Sequence, residues 1–324
     1  MIDKTLKYGI TGVASLALFG AVAAEAAWKP TKELEIVTHV RTTSSTYAFA
    51  KAIEKELDKL TKTGAKVLTI SGARGDRARR HVRIKNAENN HMWQIITPSQ
   101  INNPILAEQE TRPWHFTPLA NLVVTPNLMT VNANSPYKTM KDIIDKACKE
   151  PGKVIHGGGD FGNTSSLNGI MLQQKTGCKM TYTPFEDQGV IQLLGGHVDF
   201  AMENPAQLLQ FVRAGKMRIV AASEKLGEFP NVPTYKEAGY DFQVLKQYRG
   251  AWMGGKVDPE AAKFWIDALD KVRKSAGFQK YVSANNLAAV WVAGDDLKKY
   301  LKEEHDAYMA LGKQFNLIGK KKKK

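Results

Sequence analysis

The residues best suited to chemistry lie in a glycine-rich turn. The chain passes from a β-branched run at Val154 through Gly157-Gly158-Gly159 into a helix start that is rich in hydroxyls and amides, ending at Ser166. The free N–H groups of such a helix start, with the positive end of the helix dipole, bind carboxylate, sulfate or phosphate groups. An ordinary capped strand-to-helix turn has the same pattern. No Gly-Lys-Ser/Thr follows, so the turn indicates an anion rather than a nucleotide.

Alternating strands and helices must position this turn. Apolar patterns predict strands at Leu34–Thr38, Lys66–Ile70, Met92–Thr97, Leu119–Val124, Val154–His156, Met180–Thr183, Phe200–Met202, Ile219–Ala222, Phe242–Leu245, Ala251–Met253 and Leu287–Val292. They predict helices at Ser45–Leu60, Arg77–Asn86, Thr139–Cys148, Thr164–Thr176, Asp187–Leu194, Pro205–Ala214, Pro259–Ala276 and from Asp295, with a loop after Pro98. This alternation predicts an α/β fold with mostly parallel sheets and helices on both faces.

The loops after the predicted strands are the expected ligand site, because ligands of open α/β sheets bind at the carboxyl ends of the strands. Most of these loops are rich in Gly, Ser, Thr and Asn. Arg41 and Arg74 are the cations best placed there, either as partners of a carboxylate or as ordinary surface arginines. The candidate ligand-binding residues are Arg41, Thr42, Thr43, Ser44, Gly72, Arg74, Ser99, Asp160, Gly162, Asn163, Thr164, Ser165, Phe185 and Asn204.

The first residues have the pattern of an export signal. Lys4 and Lys7 precede an almost uncharged run from Gly9 to Ala24, and small residues end it at Ala26. The run is shorter than the roughly 20 residues that a membrane span needs, so a transmembrane anchor is disfavoured. We predict a signal peptide at 1–26 and an exported mature chain, long enough for two domains.

The chain has a formal net charge of +14, partly concentrated at Arg74–Lys85 and Lys320–Lys324. Such runs are found in nucleic-acid-binding proteins and also in solvated helices and basic tails. For an exported protein we favour the second interpretation and expect no nucleic-acid partner. The positive surface favours anions at long range.

The two cysteines, Cys148 and Cys178, could form a disulfide in an oxidising compartment, or remain free, since the sequence does not define their separation. The seven histidines show no ligand spacing, and neither Gly-x-Ser-x-Gly nor His-Glu-x-x-His occurs. We therefore expect no metal, no cofactor and no catalysis. An exported hydrolase remains an alternative.

Several fragments in a fixed order resemble the periplasmic solute-binding proteins of tripartite tricarboxylate transporters, the Bug family. They are Phe116-Thr117-Pro118-Leu119, Asn134-Ser135-Pro136-Tyr137-Lys138-Thr139-Met140, Pro151-Gly152-Lys153, Gly157–Ser166, Tyr182-Thr183-Pro184-Phe185, Leu193-Leu194-Gly195-Gly196-His197-Val198-Asp199, Ala214-Gly215-Lys216-Met217-Arg218, Asn231-Val232-Pro233-Thr234 and Glu237-Ala238-Gly239. The resemblance extends over nearly the whole mature sequence.

The resemblance implies two α/β lobes that close on a small organic acid, a carboxylate or dicarboxylate, held by the loop at Arg41–Thr46 and the helix start at Gly162–Ser166. It implies membrane subunits of a secondary transporter as partners. We expect a monomer, with one lobe formed by 27–127 and 249–319, the other by 128–248, and a basic tail at 320–324. A sensory module that hands its signal to a membrane receptor would use the same pocket.

The chain departs from the family at the first of these loops. Hydroxyl side chains and Arg41 replace the usual glycines, and Thr46 replaces an aspartate that could receive an ammonium group. This change makes an amino-acid ligand less favourable and suits a carboxylate or another oxyanion.

Overall fold

Two β-sheets, each flanked by helices, organise the chain. The computed structural model describes residues 28–42, 44–159, 163–185, 187–242, 244–314 and 318. The predicted signal peptide and basic tail lie outside these residues. Within them, every helix is too short or too polar to cross a bilayer.

The strands are β1 (Leu34–Thr38), β2 (Ala65–Thr69), β3 (Met92–Ile96), β4 (Phe116–Thr125), β5 (Leu128–Asn132), β6 (Ile155–Gly158), β7 (Thr181–Pro184), β8 (Phe200–Glu203), β9 (Met217–Ala222), β10 (Gln247–Gly254) and β11 (Ala288–Ala293). The larger sheet has the order β11-β4-β10-β3-β1-β2 and the smaller sheet the order β7-β6-β8-β5-β9. Strand β1 pairs in parallel with β2 and β3, and β6 does so with β7 and β8. Strands β10, β11 and β5 run antiparallel to their neighbours.

The helices are α1 (Ser45–Leu60), α2 (Asp76–Arg80), α3 (Ser99–Leu106), α4 (Met140–Lys149), α5 (Thr164–Thr176), α6 (Val190–Leu194), α7 (Pro205–Arg213), α8 (Pro259–Lys274), α9 (Ala276–Ala284) and α10 (Gly294–Gln314). Strand β1 and helices α1 and α5 have the predicted bounds. Polar caps define the two helix starts, since Ser44 and Asn163 each accept a hydrogen bond from a backbone N–H of the first turn.

Two predicted elements are wrong. The loop predicted after Pro98 is helix α3, because Ile101 and Ile105 bury their side chains in the core and this packing outweighs the low helix propensity of its asparagines and Pro104. No strand forms at 242 or 244–245. There, the backbone N–H and carbonyl of Leu245 pair with the side chain of Asn168 instead of a neighbouring strand.

Two predicted helices are broken. A π-helical stretch, His81–Lys85, follows α2 within the predicted helix Arg77–Asn86. The helix predicted at Pro259–Ala276 ends at Lys274, where Ser275 caps the next helix by accepting a hydrogen bond from the N–H of Phe278 at 3.2 Å.

Alternate side chains of the larger sheet pack against helices on both of its faces. Trp93 of β3 packs in a cluster with Phe49 of α1 and Trp265 of α8. On the other face, Trp252 of β10 belongs to a cluster with residues of α3 and α10. This arrangement buries both faces and holds the ends of the strands in fixed positions.

The chain passes twice between the sheets. Residues 126–127 connect β4 to β5, and residues 223–246 connect β9 to β10. Helix α5 follows a strand of the smaller sheet, yet its Leu167 and Met171 pack into the cluster of α3 and α10. The structure is therefore two-lobed, with α5 contacting both lobes. The lobe boundaries given above remain a prediction.

A disulfide joins Cys148 of α4 to Cys178, which precedes β7. Their Cα atoms are 4.5 Å apart. The bridge ties the end of a helix to the beginning of a strand at one edge of the smaller sheet.

Candidate ligand-binding cleft

A cleft of about 860 Å³ lies between the two lobes. It is lined by residues that follow β1 and β3 of the larger sheet and by residues at the ends of β6, β7 and β8 of the smaller sheet. Carboxyl ends of strands from both sheets thus face one space, as is usual for ligand sites in α/β folds. The volume is in the range of small-molecule sites.

Four helices begin at this cleft, and residues from the start of each line it: Ser45 and Thr46 of α1, Ser99 of α3, Thr164 and Ser165 of α5, and Asn204, which caps α7. The first N–H groups of a helix have no partner within the helix, and the helix dipole places partial positive charge there. The four helix starts therefore surround the cleft with hydrogen-bond donors and positive potential. The arrangement suits an anion.

The start of α5 also connects the two lobes. Asn163 caps the helix by accepting a hydrogen bond at 2.8 Å from the N–H of Ser166. The hydroxyl of Thr164 accepts a 2.6 Å hydrogen bond from the amide of Gln247 in β10. Side chains of both lobes thus meet directly at the cleft wall.

Packing explains a glycine of the turn before α5. A Cβ atom on Gly158 would collide with the hydroxyl of Tyr182. That hydroxyl donates a 2.6 Å hydrogen bond to the carbonyl of Gly159, which lines the cleft. Gly158 therefore makes room for a side chain that holds the turn in place.

Among the described residues that line the cleft, Arg249 is the single basic side chain of the arginine or lysine type. Its guanidinium donates hydrogen bonds to Thr125 Oγ1 at 2.8 Å and to Ser45 Oγ at 2.9 Å, while Nε is buried without a partner. Burial lowers the pKa of Arg249, although an arginine stays charged. Arg249 is not among the candidate residues chosen from the sequence, because it lies inside a strand rather than in a loop. Its signal in the sequence is a single charge before the apolar run Ala251–Met253.

The wall formed by the larger lobe contains a neutral histidine. His39 Nε2 lies 3.2 Å from Ser99 Oγ, which lies 2.8 Å from Thr97 Oγ1. Burial, and then the nearby charge of Arg79, lower the pKa of His39 to about 4. Arg79 is itself fully buried and donates to Gln100 Oε1 at 3.2 Å. A buried positive charge thus lies close to the cleft.

Glu203 at the end of β8 is the acid of the cleft wall among the described residues. Burial raises the pKa of its carboxyl to about 7, while the side chain of Ser165 and the N–H of Gly159 act in the opposite direction. Glu203 is not among the candidate ligand-binding residues chosen from the sequence. In the described part of the chain, the cleft included, no cluster of three or more His, Cys, Asp or Glu side chains could hold a metal ion.

The structure places the predicted site residues in three groups. Those that line the cleft are Ser99, Asn163, Thr164, Ser165, Phe185 and Asn204. Those outside the lining are Arg41, Thr42, Ser44, Gly72 and Arg74. Thr43, Asp160 and Gly162 lie outside the described residues. Arg41 and Thr42 are exposed, Ser44 caps α1, and the carbonyl of Arg74 accepts hydrogen bonds from Arg79 and Asn103. Roles for all these residues in binding remain a prediction.

The two-lobed fold with its polar cleft is that of periplasmic solute-binding proteins, and solved structures share it. A TctC solute-binding protein from Polaromonas without ligand superposes with a TM-score of 0.80 at 21% identity, covering 88% of this chain and 99% of its own. Rpa4515 of R. palustris with adipate gives 0.64 at 19% identity, covering 88% and 97%. MatC of Rhodopseudomonas palustris with bound malate gives 0.61 at 20% identity, covering 87% and 99%.

The chain belongs to the tripartite tricarboxylate transporter family of receptors, whose profile matches residues 104–317. A protein encoded in the gbd 5' region of Cupriavidus necator is 25% identical over 217 residues, which are 64% of this chain and 66% of that protein. Protein BugT of Bordetella pertussis is 23% identical over 193 residues, 58% of this chain and 59% of BugT. The matches thus span less than two thirds of these relatives' lengths. The family is one of solute-binding receptors, which is not an enzyme class.

Proposed function

We propose that this protein is exported to the periplasm, captures a small carboxylate or dicarboxylate in its cleft, and delivers it to the membrane components of a tripartite tricarboxylate-type transporter. The observation that carries the proposal is the convergence of four helix starts and Arg249 on one cleft between two lobes. The bound adipate and malate of the similar structures support the same ligand class.

The anion would be held from both lobes. On one side are Arg249 and the starts of α1 and α3, and on the other are the starts of α5 and α7. A ligand that contacts both lobes stabilises the closed arrangement over the open one by its differential contacts, so binding would shift the lobes towards closure. In this proposal the protein acts as a monomer and residues 1–26 are removed on export.

Calorimetry and thermal unfolding of the mature chain test the proposal with succinate, malate, adipate and citrate. A ligand at 100 times its Kd raises the free energy of unfolding by about 2.7 kcal/mol, which appears as a raised Tm. Binding of one or more of these acids, recovered unchanged, is expected. Absence of any heat or Tm shift with all four at millimolar concentration would refute the carboxylate assignment.

A hydrolase is the second candidate because Ser165 Oγ lies 3.4 Å from Nε2 of His156. Burial lowers the pKa of His156 to about 3, so this imidazole is a weak base at neutral pH. Glu203 contacts Ser165 rather than His156, whereas a triad carboxylate orients the histidine. Conversion of an ester or amide panel that is lost in Ser165→Ala would favour the enzyme.

A further inference from the structure

Glu203 places a carboxyl group where an anion is expected to bind. It is the last residue of β8, directly before the cap of α7, and only 4% of it is exposed. A negative charge there opposes a bound anion unless the ligand offers it a favourable contact. A buried carboxyl group at this position therefore restricts which ligands can bind.

One oxygen of Glu203 lacks a hydrogen-bond donor. Oε1 is buried and has no partner among the described residues. More than nine in ten buried polar groups in native proteins have a partner. An unpaired carboxylate oxygen in the wall of a ligand cleft is therefore an acceptor that the ligand can satisfy.

The donors around the carboxyl group of Glu203 do not pair with its Oε1. Tyr235 donates its single proton to Asn127, whose Oδ1 and carbonyl oxygen lie 2.7 Å and 3.1 Å away. The hydroxyl of Ser165, which lies 3.4 Å from the imidazole of His156, and the N–H of Gly159 interact with the carboxyl group of Glu203 but leave its Oε1 without a partner. None of these contacts supplies a donor to Oε1 of Glu203.

We propose that Oε1 of Glu203 accepts a hydrogen bond from the ligand itself, so that the captured anion is a carboxylate that also carries a hydroxyl or ammonium group. This inference rests on the proposed function. Arg249 and the helix starts hold the carboxylate, and Glu203 holds the donor.

This arrangement selects against a plain diacid. A second carboxylate beside ionised Glu203 is repelled, and an analogue without the donor leaves Oε1 unpaired. Sites built to hydrogen-bond a hydroxyl or amine reject analogues that lack it far more strongly than apolar pockets distinguish sizes. Glu203 is therefore a residue that determines specificity.

Three four-carbon diacids that differ at one substituent test the inference by calorimetry on the mature chain: succinate with hydrogen, malate with hydroxyl and aspartate with ammonium. Malate or aspartate is expected to bind at least tenfold more tightly than succinate, and the preferred one identifies the donor. Equal affinity for all three would overturn the inference and leave the proposed function intact. No binding of these three, of adipate or of citrate would refute both.

Substitutions test whether Glu203 causes the preference for malate or aspartate over succinate. Glu203→Gln is expected to reduce the preference over succinate to below about threefold for aspartate and to weaken it for malate. Glu54→Gln is the matched control, because Glu54 is also a buried glutamate but accepts its hydrogen bond from the N–H of Val67, away from the cleft. A preference that survives in Glu203→Gln would contradict the assignment. If this variant does not fold, the comparison of succinate, malate and aspartate on the unmodified protein still tests the inference.

The change of ligand affinity with pH tests independently whether Glu203 accepts or donates the hydrogen bond. Ionised Glu203 accepts a donor, so with a pKa of about 7 the affinity for malate should rise up to about tenfold from pH 6 to pH 8. Burial lowers the pKa values of His39 and His156 to about 4 and about 3 and raises that of Tyr235, so these neighbours keep their charge state across this range. A rise in affinity as the pH falls would show Glu203 donating its own proton and would overturn the inference.

Discussion

Arg249 and Glu203 give the cleft its charge pattern, and both lie where β10 and β8 reach it. The cation that lines the cleft is therefore neither Arg41 nor Arg74, which were predicted from their positions in loops. Arg249 is held by two hydroxyls, which fix its guanidinium at the cleft wall. The structure therefore favours Arg249 as the cation that receives a ligand carboxylate.

Replacing Arg249 by Gln is expected to weaken binding of the tightest acid in the panel by about 1–3 kcal/mol, roughly 5- to 150-fold in Kd, because a charge-assisted contact is lost. Calorimetry measures the change, and Tm shows whether the fold is kept. Arg41→Gln is the matched control and should change Kd by less than about threefold, since Arg41 is exposed and outside the cleft lining. A larger change in Kd for Arg41→Gln than for Arg249→Gln would instead support Arg41, the cation predicted from its loop position.

At the scale of elements, the cleft depends on where helices begin. The side chains of Ser44 and Asn163 cap α1 and α5, and at the start of α7 the side chain of Gln207 accepts a hydrogen bond from the N–H of Asn204, so local sequence sets the helix ends that face the cleft. Helix α4 of the smaller lobe is held differently, because its last turn carries Cys148 of the disulfide. The cysteines are not among the residues lining the cleft, so stability and binding can be separated.

The double variant Cys148→Ser, Cys178→Ser should lose about 2–4 kcal/mol of unfolding free energy, because the bridge closes a loop with a sequence separation of 30. Chemical denaturation measures this loss, and ligand affinity below the transition should be unchanged. The unmodified protein under reducing conditions should match the variant, while reductant should leave the variant unaffected. Equal stability of variant and oxidised protein would contradict the prediction.

At the scale of the whole molecule, charge and chain path act together. The full chain carries a formal net charge of +14, which attracts anions before any specific contact forms. Helix α5 spans the lobes, with apolar contacts to α3 and α10 and the bond from Gln247 to Thr164. The molecule thus combines a positive net charge with a cleft whose walls already contact each other.

Salt should slow the association of malate several-fold between about 20 mM and 500 mM NaCl, because screening shortens the reach of the positive field. Stopped-flow tryptophan fluorescence separates the rate constants. Dissociation, which depends on short contacts, should change by less than about twofold and serves as the internal control. An association rate that is independent of salt would show that the net charge does not steer the ligand.

The sequence by itself determined most of the local elements and the family, and it led to the expectation of an anionic ligand. Apolar periodicity and capping residues act over a few neighbouring positions, so helices such as α1 and α5 could be predicted residue by residue. Prediction from the sequence failed where contacts between distant residues outweigh the local preference for helix or strand. The asparagines and proline of α3 form a helix because Ile101 and Ile105 reach the core. Leu245 leaves the strand pattern because the side chain of Asn168 satisfies its backbone.

Only the tertiary structure decided which polar side chains face one another. Arg249, Glu203 and the four helix starts are far apart along the chain, and they meet because the chain passes twice between the sheets. Charge and hydrogen bonding act through space over a few ångströms. The burial that raises the pKa of Glu203 likewise arises from strands and helices packed around it. A sequence contains these residues, but the fold places them at one site.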